Sequence, residues 1–217
     1  MRRTVGPDIY IRIHITNIKR DPKCGQEACW EDKLIFYEKV RAVGKELCDD
    51  KNYSNANTLY SRCISLFKNM PKKQKESLTE EQKLIRDEVL NVLHLNCAHC
   101  LLQKKMYSDA IQKAKEAITY VKHNPKAYYR LYIAYKEMND LDRAKENLTE
   151  AIKFEPNDKK MREEYKTLCN VKSAKEKMWN DKMKGFYNTK KLTDLETEEH
   201  EERVLREKIK RQTFGDE

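Results

Sequence analysis

Lys126 and Arg130 stand four residues apart in KAYYRLYIAY (126–135), a run that reads as helix, so both cations share one face. Like charges at that spacing cost a helix about 0.2–0.5 kcal/mol, which raises the question of what the pair binds. An ammonium and a guanidinium on one face suit carboxylates. Charge-assisted hydrogen bonds are about twice as strong as neutral ones, and Arg can grip a carboxylate through two parallel bonds. A second constellation lies at HLNCAHC (94–100), where Cys97, Cys100, His94 and His99 are residue types that hold zinc. Elsewhere the chemistry thins out. Cys24 and Cys29 have nothing beside them to activate a thiolate. No Gly-rich loop is present to cradle phosphate, and no Ser or Cys nucleophile has a base at recognisable spacing.

The elements that must carry these residues are helices. Of 217 residues, 37% are charged and only 5 are Gly and 5 Pro, too little punctuation for many short strands. The apolar share, 39%, fits a chain with much exposed surface. Net charge is +9, yet acids and bases are interleaved; basic residues and tyrosines such as those of 126–135 could imitate a nucleic-acid face, but no other feature supports one, so nucleic acid is not an expected partner. No run approaches 18 apolar residues, and MRRTVGPDIY lacks the apolar core of a signal peptide. Seven cysteines without such a signal point to free thiols in a reducing compartment. The expectation is a cytoplasmic protein with no membrane partner.

Internal repetition organises the chain. Aligning YSDAIQKAKEAI (107–118) on LDRAKENLTEAI (141–152) sets Ala110 on Ala144, Ala114 on Leu148 and Ala117 on Ala151, each step being 34 residues. Upstream, at the same offset, Cys97 falls on Leu131, Ala98 on Tyr132 and Leu101 on Tyr135. A further copy supplies Ala56, Tyr60 and Cys63, preceded by Val40, Val43, Gly44 and Leu47. Its step to Ala110 is 54, one period plus a 20-residue insertion absorbed by the Lys-rich PKKQKESLTEEQK (71–83). This period, with its small residue, aromatic or Leu, and Ala, closed by Pro156, resembles the tetratricopeptide (TPR) helix-turn-helix repeat. Small residues recur because the two helices of each unit, A and B, approach closely. The resemblance implies an all-α fold: three repeats stacked in a right-handed superhelix with a groove lined by the A helices, plus long C-terminal helices. In that frame Cys97 takes a buried core position, and no metal is expected at HLNCAHC.

The repeat also places the opening pair. Lys126 and Arg130 take A-helix positions facing the groove, joined by Asn96 from the preceding A helix and by Arg41 and Lys45 from the first. This set resembles the carboxylate clamp of TPR co-chaperones, which holds the free C-terminal Glu-Glu-Val-Asp of cytosolic heat-shock chaperones. The family pattern has Lys and Asn on the first helix, Asn on the second, and Lys with Arg on the third. Asn96, Lys126 and Arg130 match it. Arg41 stands where Lys is usual, and Lys45 where Asn or a small polar residue is usual, which bears on affinity and choice of chaperone.

The flanks add to the resemblance. IYIRIHITNI (9–18) alternates with period two, a strand, and one strand cannot stand alone in water. Strand, charged spacer, Trp30 and then repeats with a long first insertion are similar to the TPR half of FKBP-type immunophilins, where such a strand closes the prolyl-isomerase barrel. Almost all of that barrel has no counterpart here, so the resemblance implies no isomerase activity. The strand fits either addition to a partner's sheet edge or a remnant. After Pro156 the helical pattern continues. AKEKMWNDKMKGFY (174–187) resembles the extra C-terminal helix of the same immunophilins, with Trp179, Met183 and Phe186 on one face among Lys175, Lys177, Lys182 and Lys184. Such a basic amphipathic helix suits calmodulin, or else caps the open end of the repeats. DLETEEHEERVLREKIKRQ (194–212) turns from acidic to basic and reads as an exposed helix or partner-binding tail.

These observations divide the chain into an N-terminal segment (1–30), a three-repeat TPR domain (31–160) and a C-terminal extension (161–217). The function they imply is a non-enzymatic co-chaperone or adaptor, without cofactor, that holds the acidic C-terminal peptide of a cytosolic heat-shock chaperone. The alternative is a structural TPR subunit that docks neighbours in a larger assembly through its groove and tails.

Overall fold

The structure, a computed structural model, describes residues 28–214, with side chains through Phe186 and at Thr197, His200, Glu201 and Arg203. The strand expected over 9–18 lies outside the described residues. Helices α1 (Trp30–Asp49), α2 (Tyr53–Lys68), α3 (Lys72–Glu76) and α4 (Glu80–Gln103) are followed by α5 (Tyr107–Tyr120), α6 (Pro125–Glu137), α7 (Leu141–Phe154) and α8 (Lys159–Phe214). The described residues contain no strand.

Side-chain caps satisfy the otherwise orphaned amides at several helix starts. Asn52, Asn124 and Asp140 cap α2, α6 and α7. Thr79 and Gln82 form a reciprocal capping box on α4. The turn joining each A helix to its B helix carries one non-Gly residue at positive φ: Lys51 (59°), Lys105 (60°) and Asn139 (63°). The same left-handed step thus recurs in all three repeats, and Lys51 and Lys105 adopt it despite the steric cost of a Cβ.

The repeat pairs are α1/α2, α4/α5 and α6/α7. Contacts run α1 to α2, α2 to α4, α4 to α5, α5 to α6 and α6 to α7, with α4 also touching α6. The positions aligned at one offset form the core: Ala110, Ala114, Ala117, Ala144, Leu148 and Ala151 on the B helices, and Cys97, Ala98, Leu101, Leu131, Tyr132 and Tyr135 on the A helices, are all buried. In the first repeat Val40, Val43, Leu47, Ala56, Tyr60 and Cys63 are buried likewise. At its amino end Phe67 receives the edges of Trp30 and Tyr37, with ring centroids 6.0 and 6.5 Å away.

The insertion is more structured than its polar composition suggests. Met70 and Leu78 anchor it by burial, and α3 folds between them. Gln74 on α3 accepts from the buried Lys33 ammonium and donates to the Ala28 carbonyl, tying the insertion to the start of α1. The remaining inserted residues lengthen α4, which has 24 residues against 13 in α6.

Two compact units divide between Tyr165 and Lys166. The first holds the repeats and the opening turns of α8, where Met161 is buried. In the second, α8 presents Met178, Trp179 and Phe186 to solvent, whereas Met183 is half-buried. Lys172 and Glu176 pair at 3.7 Å along its surface. The helical pattern expected after Pro156 takes the form of one 56-residue helix.

Gly44 sits where α1 meets α2, and a Cβ there would run into the Tyr60 ring. Gly44→Ala is expected to destabilise the domain by roughly 1–3 kcal/mol through overpacking, more than the 0.5–1 kcal/mol or so that Ala gains over Gly inside a helix. Urea unfolding followed by circular dichroism checks this; an unchanged or raised midpoint would show that the two helices have room to spare.

Candidate functional site

Asn124 and Pro125 set the start of α6 and hence the position of Lys126. The Asn124 side chain accepts from the Lys126 amide at 3.0 Å, and Pro125 occupies the first turn, where its missing N–H costs nothing. The Asn124 amide also donates to Oδ1 of buried Asn91 at 3.3 Å, bracing α6 against α4. Sequence reasoning overlooked this brace, although the Asn-Pro step was a legible helix start. Lys126 is exposed in the first turn, where the positive end of the helix dipole adds to its charge.

Arg130, one turn on, has a different environment. Its Nη1 is buried and has no hydrogen-bond partner. Burial lowers the guanidinium pKa to about 10, so it remains charged at neutral pH. The groups closest to it electrostatically are Cys100 and Tyr60. Burial pushes both of these well above their ordinary values, which keeps them neutral. A charged guanidinium therefore faces neutral groups with a donor unspent, an arrangement that is costly unless a further acceptor arrives.

Lys126 and Arg130 line an open groove of about 510 Å³. Its lining also includes His99 and Leu102 from α4, Lys105 from the following turn, Tyr129 and Ile133 from α6, and Lys160 and Met161 from α8. Tyr129 donates to Glu164 at 3.0 Å, and the Lys160 ammonium lies 5.6 Å from the centre of the Tyr129 ring. Tyr107 reaches Glu137 at 3.4 Å at the groove edge. Apolar floor and cationic rim together suit an acidic peptide with apolar side chains. Lys105 and Lys160 entered this rim unforeseen. Lys105 gets there through its left-handed turn, and Lys160 through the register of α8, neither of which a repeat alignment specifies.

The other expected residues stand on the A helices outside this lining. Asn96 is half-buried on α4, one turn before Cys100. Arg41 is exposed on α1, bonded to Glu38 at 3.4 Å, and Lys45 is exposed one turn later. At HLNCAHC, Cys97 and Cys100 are fully buried in the core, and among the described residues no three His, Cys, Asp or Glu side chains are grouped to hold a metal. Burial raises the Cys97 thiol to about 11, which keeps it protonated.

A tetratricopeptide-repeat family model matches residues 93–168. Over that stretch the chain is similar to tetratricopeptide repeats. Among curated relatives, the peptidyl-prolyl isomerase FKBP42 of Arabidopsis thaliana is 33% identical over 102 residues, 47% of this chain and 28% of that protein. Among solved structures, the C-terminal TPR-containing domain of a Plasmodium falciparum FK506-binding protein is 25% identical, with a TM-score of 0.58 over 69% of this chain and 97% of that one. The myosin chaperone UNC-45 of C. elegans, solved with an Hsp90 peptide, is also 25% identical, with a TM-score of 0.51 over 65% of this chain and 14% of its own. The chain spans 28% to 43% of the length of its curated relatives. The chain is thus similar to part of an FKBP-type isomerase, to the TPR-containing domain of an FK506-binding protein and to part of a myosin chaperone solved with an Hsp90 peptide.

His94, in the HLNCAHC motif, gives the repeat core a pH dependence. It is 1% exposed, stacked on Tyr120 with centroids 5.7 Å apart, and its Nδ1 lies 3.0 Å from Glu116 without hydrogen-bond alignment. Burial lowers its pKa to about 4 from 6.5, so the contact is not an ion pair at neutral pH. Because the folded state resists this proton, the stability involved is complete above pH 6.5 and disappears as pH falls through 4, amounting to roughly 3 kcal/mol. Burial opposes ionisation of Glu116, but the Lys113 ammonium at 3.0 Å outweighs it and holds the carboxyl below its usual range, so acid erodes this contribution too. Urea midpoints between pH 7 and 4 are expected to fall more steeply in the wild type than in His94→Phe; parallel curves would remove His94 as the cause.

Proposed function

We propose that this TPR protein is a co-chaperone or adaptor whose repeat groove holds the acidic C-terminal peptide of a cytosolic heat-shock chaperone. One observation carries the reading: half-buried Arg130 stays charged and keeps one guanidinium nitrogen without a hydrogen-bond partner, beside Lys126 in an open groove. A peptide carboxylate supplies the acceptor that the surrounding neutral groups do not, and Lys126 adds a second charge-assisted bond. Asn96, Arg41 and Lys45 are the further donors of the proposed clamp, and Lys45, in place of a small polar residue, favours a ligand with an additional carboxylate. The likeness to UNC-45 solved with an Hsp90 peptide and to FKBP-type TPR regions supports the assignment. The role is binding rather than catalysis, and a cytoplasmic setting belongs to the proposal. No helix among the described residues is long and apolar enough to cross a membrane.

Calorimetry tests the clamp. The free-acid peptide Met-Glu-Glu-Val-Asp is expected to bind, and its C-terminal amide is not. Lys126→Ala and Arg130→Ala should each lose about 1.5–3 kcal/mol, roughly ten- to hundredfold in Kd. Equal binding of acid and amide, or full affinity in Lys126→Ala, would overturn the clamp. Failure of folded protein to bind either peptide would favour the alternative, a structural subunit that docks neighbours in a larger assembly.

A second reading rests on the exposed aromatics of α8. Trp179 is 65% and Phe186 62% exposed, with lysines along the same helix, a surface suited to acidic, Met-rich calmodulin. Calcium–calmodulin should shift Trp179 fluorescence to the blue, and EDTA should reverse it. An unchanged spectrum would leave α8 without this partner.

A further inference from the structure

Five described cysteines besides exposed Cys29 lie within helices, and one pair meets across two repeats. Cys48 is in the last turn of α1 and Cys100 near the end of α4, 52 residues apart in sequence, yet their sulfurs are 3.6 Å apart. Cys48 is half-buried and Cys100 fully buried. One turn before Cys100, Cys97 turns instead to the Ser61 hydroxyl, 3.8 Å away. Tyr60 is close enough to Cys48 to be affected by it electrostatically, and Arg130 acts in the same way on Cys100 from the third repeat.

We propose that Cys48 and Cys100 are an oxidisable dithiol that a hydroperoxide converts to a reversible disulfide, stapling the first A helix to the second. Sulfurs 3.6 Å apart need only a further approach of about 1.5 Å to reach bonding distance, within the range of side-chain rotation and a small helix shift. The accessible partner reacts first. The Cys48 thiolate attacks one peroxide oxygen; the O–O bond breaks and the other oxygen leaves as alcohol or water after taking a proton. The product is a Cys48 sulfenic acid. Cys100 then attacks the Cys48 sulfur. The S–S bond forms as the S–O bond breaks, and the departing hydroxide takes the Cys100 proton as water. Two thiols have given two electrons to one peroxide.

The order of events follows from the environments. Burial and the neighbouring Cys48 push the Cys100 thiol up, so it is a poor first nucleophile, whereas the Arg130 guanidinium favours its thiolate once Cys48 is oxidised. The bond closes a loop containing α2 and α3 and couples repeats that otherwise communicate through α2 packed on α4. Restricting the unfolded chain in this way raises thermal stability.

The test uses the full chain, reduced and then treated with hydrogen peroxide under native conditions. Remaining thiols are blocked with N-ethylmaleimide before non-reducing peptide mapping. The expected product is a Cys48–Cys100 linked peptide, released by dithiothreitol, with a rise in Tm of roughly 5 °C or more. Both signals should be absent in Cys48→Ala, which alters a half-buried position and leaves the core cysteine in place. Recovery of both residues as maleimide adducts, or of Cys48 as sulfinic acid beside an alkylated Cys100, would overturn the proposal. So would a Tm rise that persists in Cys48→Ala. Neither readout involves an acidic peptide, so failure here is distinct from failure of the clamp.

Discussion

The closeness with which each A helix lies against its B helix sets the terms for everything else in this fold. Gly44 makes the point in the first repeat, where the Tyr60 ring occupies the space a Cβ would need. In the second and third repeats Ala110, Ala114, Ala117, Ala144 and Ala151 serve the same contact. Alanines lose almost no side-chain entropy on burial and let the backbones approach. The A helices can then carry the larger groups, Leu131, Tyr132 and Tyr135, into the space between repeats. Contacts between sequence neighbours dominate the packing, so stability builds along the stack and the first repeat needs cover at its open side. Trp30 against Phe67 and the Gln74 tie to α1 supply it, which gives the long insertion a structural role.

The same packing leaves an electrostatic imbalance on the groove side. Where α4 and α6 meet, Arg130 is drawn in among Cys100, Tyr60 and His99, groups that are neutral at physiological pH. Nothing in the hydrophobic period requires an arginine there, and a buried donor without an acceptor lowers stability. In the proposed function, an incoming carboxylate relieves the imbalance. It also sets the conditions for the thiols beside it, since one guanidinium can stabilise either an incoming carboxylate or a transient Cys100 thiolate. The two uses draw on the same charge.

Residue types and spacing alone determined the repeat, its core and the cationic pair. A 34-residue offset recurs because each unit must bury an identical face, so Ala110 with Ala144, or Leu101 with Tyr135, is visible without coordinates. The core role of Cys97 was legible for the same reason. What the tertiary structure alone decided depends on distances between elements far apart in the chain, which periodicity does not encode. The folding of the insertion rests on Met70 and Leu78 finding a core, and the bracing of α6 on Asn124 meeting Asn91. The recruitment of Lys105 and Lys160 to the groove and the meeting of Cys48 with Cys100 are likewise products of packing. Sequence could say that Arg130 faces a groove. That one of its guanidinium nitrogens is buried there without a hydrogen-bond partner is a property of the neighbours that surround it, and those exist only once the helices have stacked.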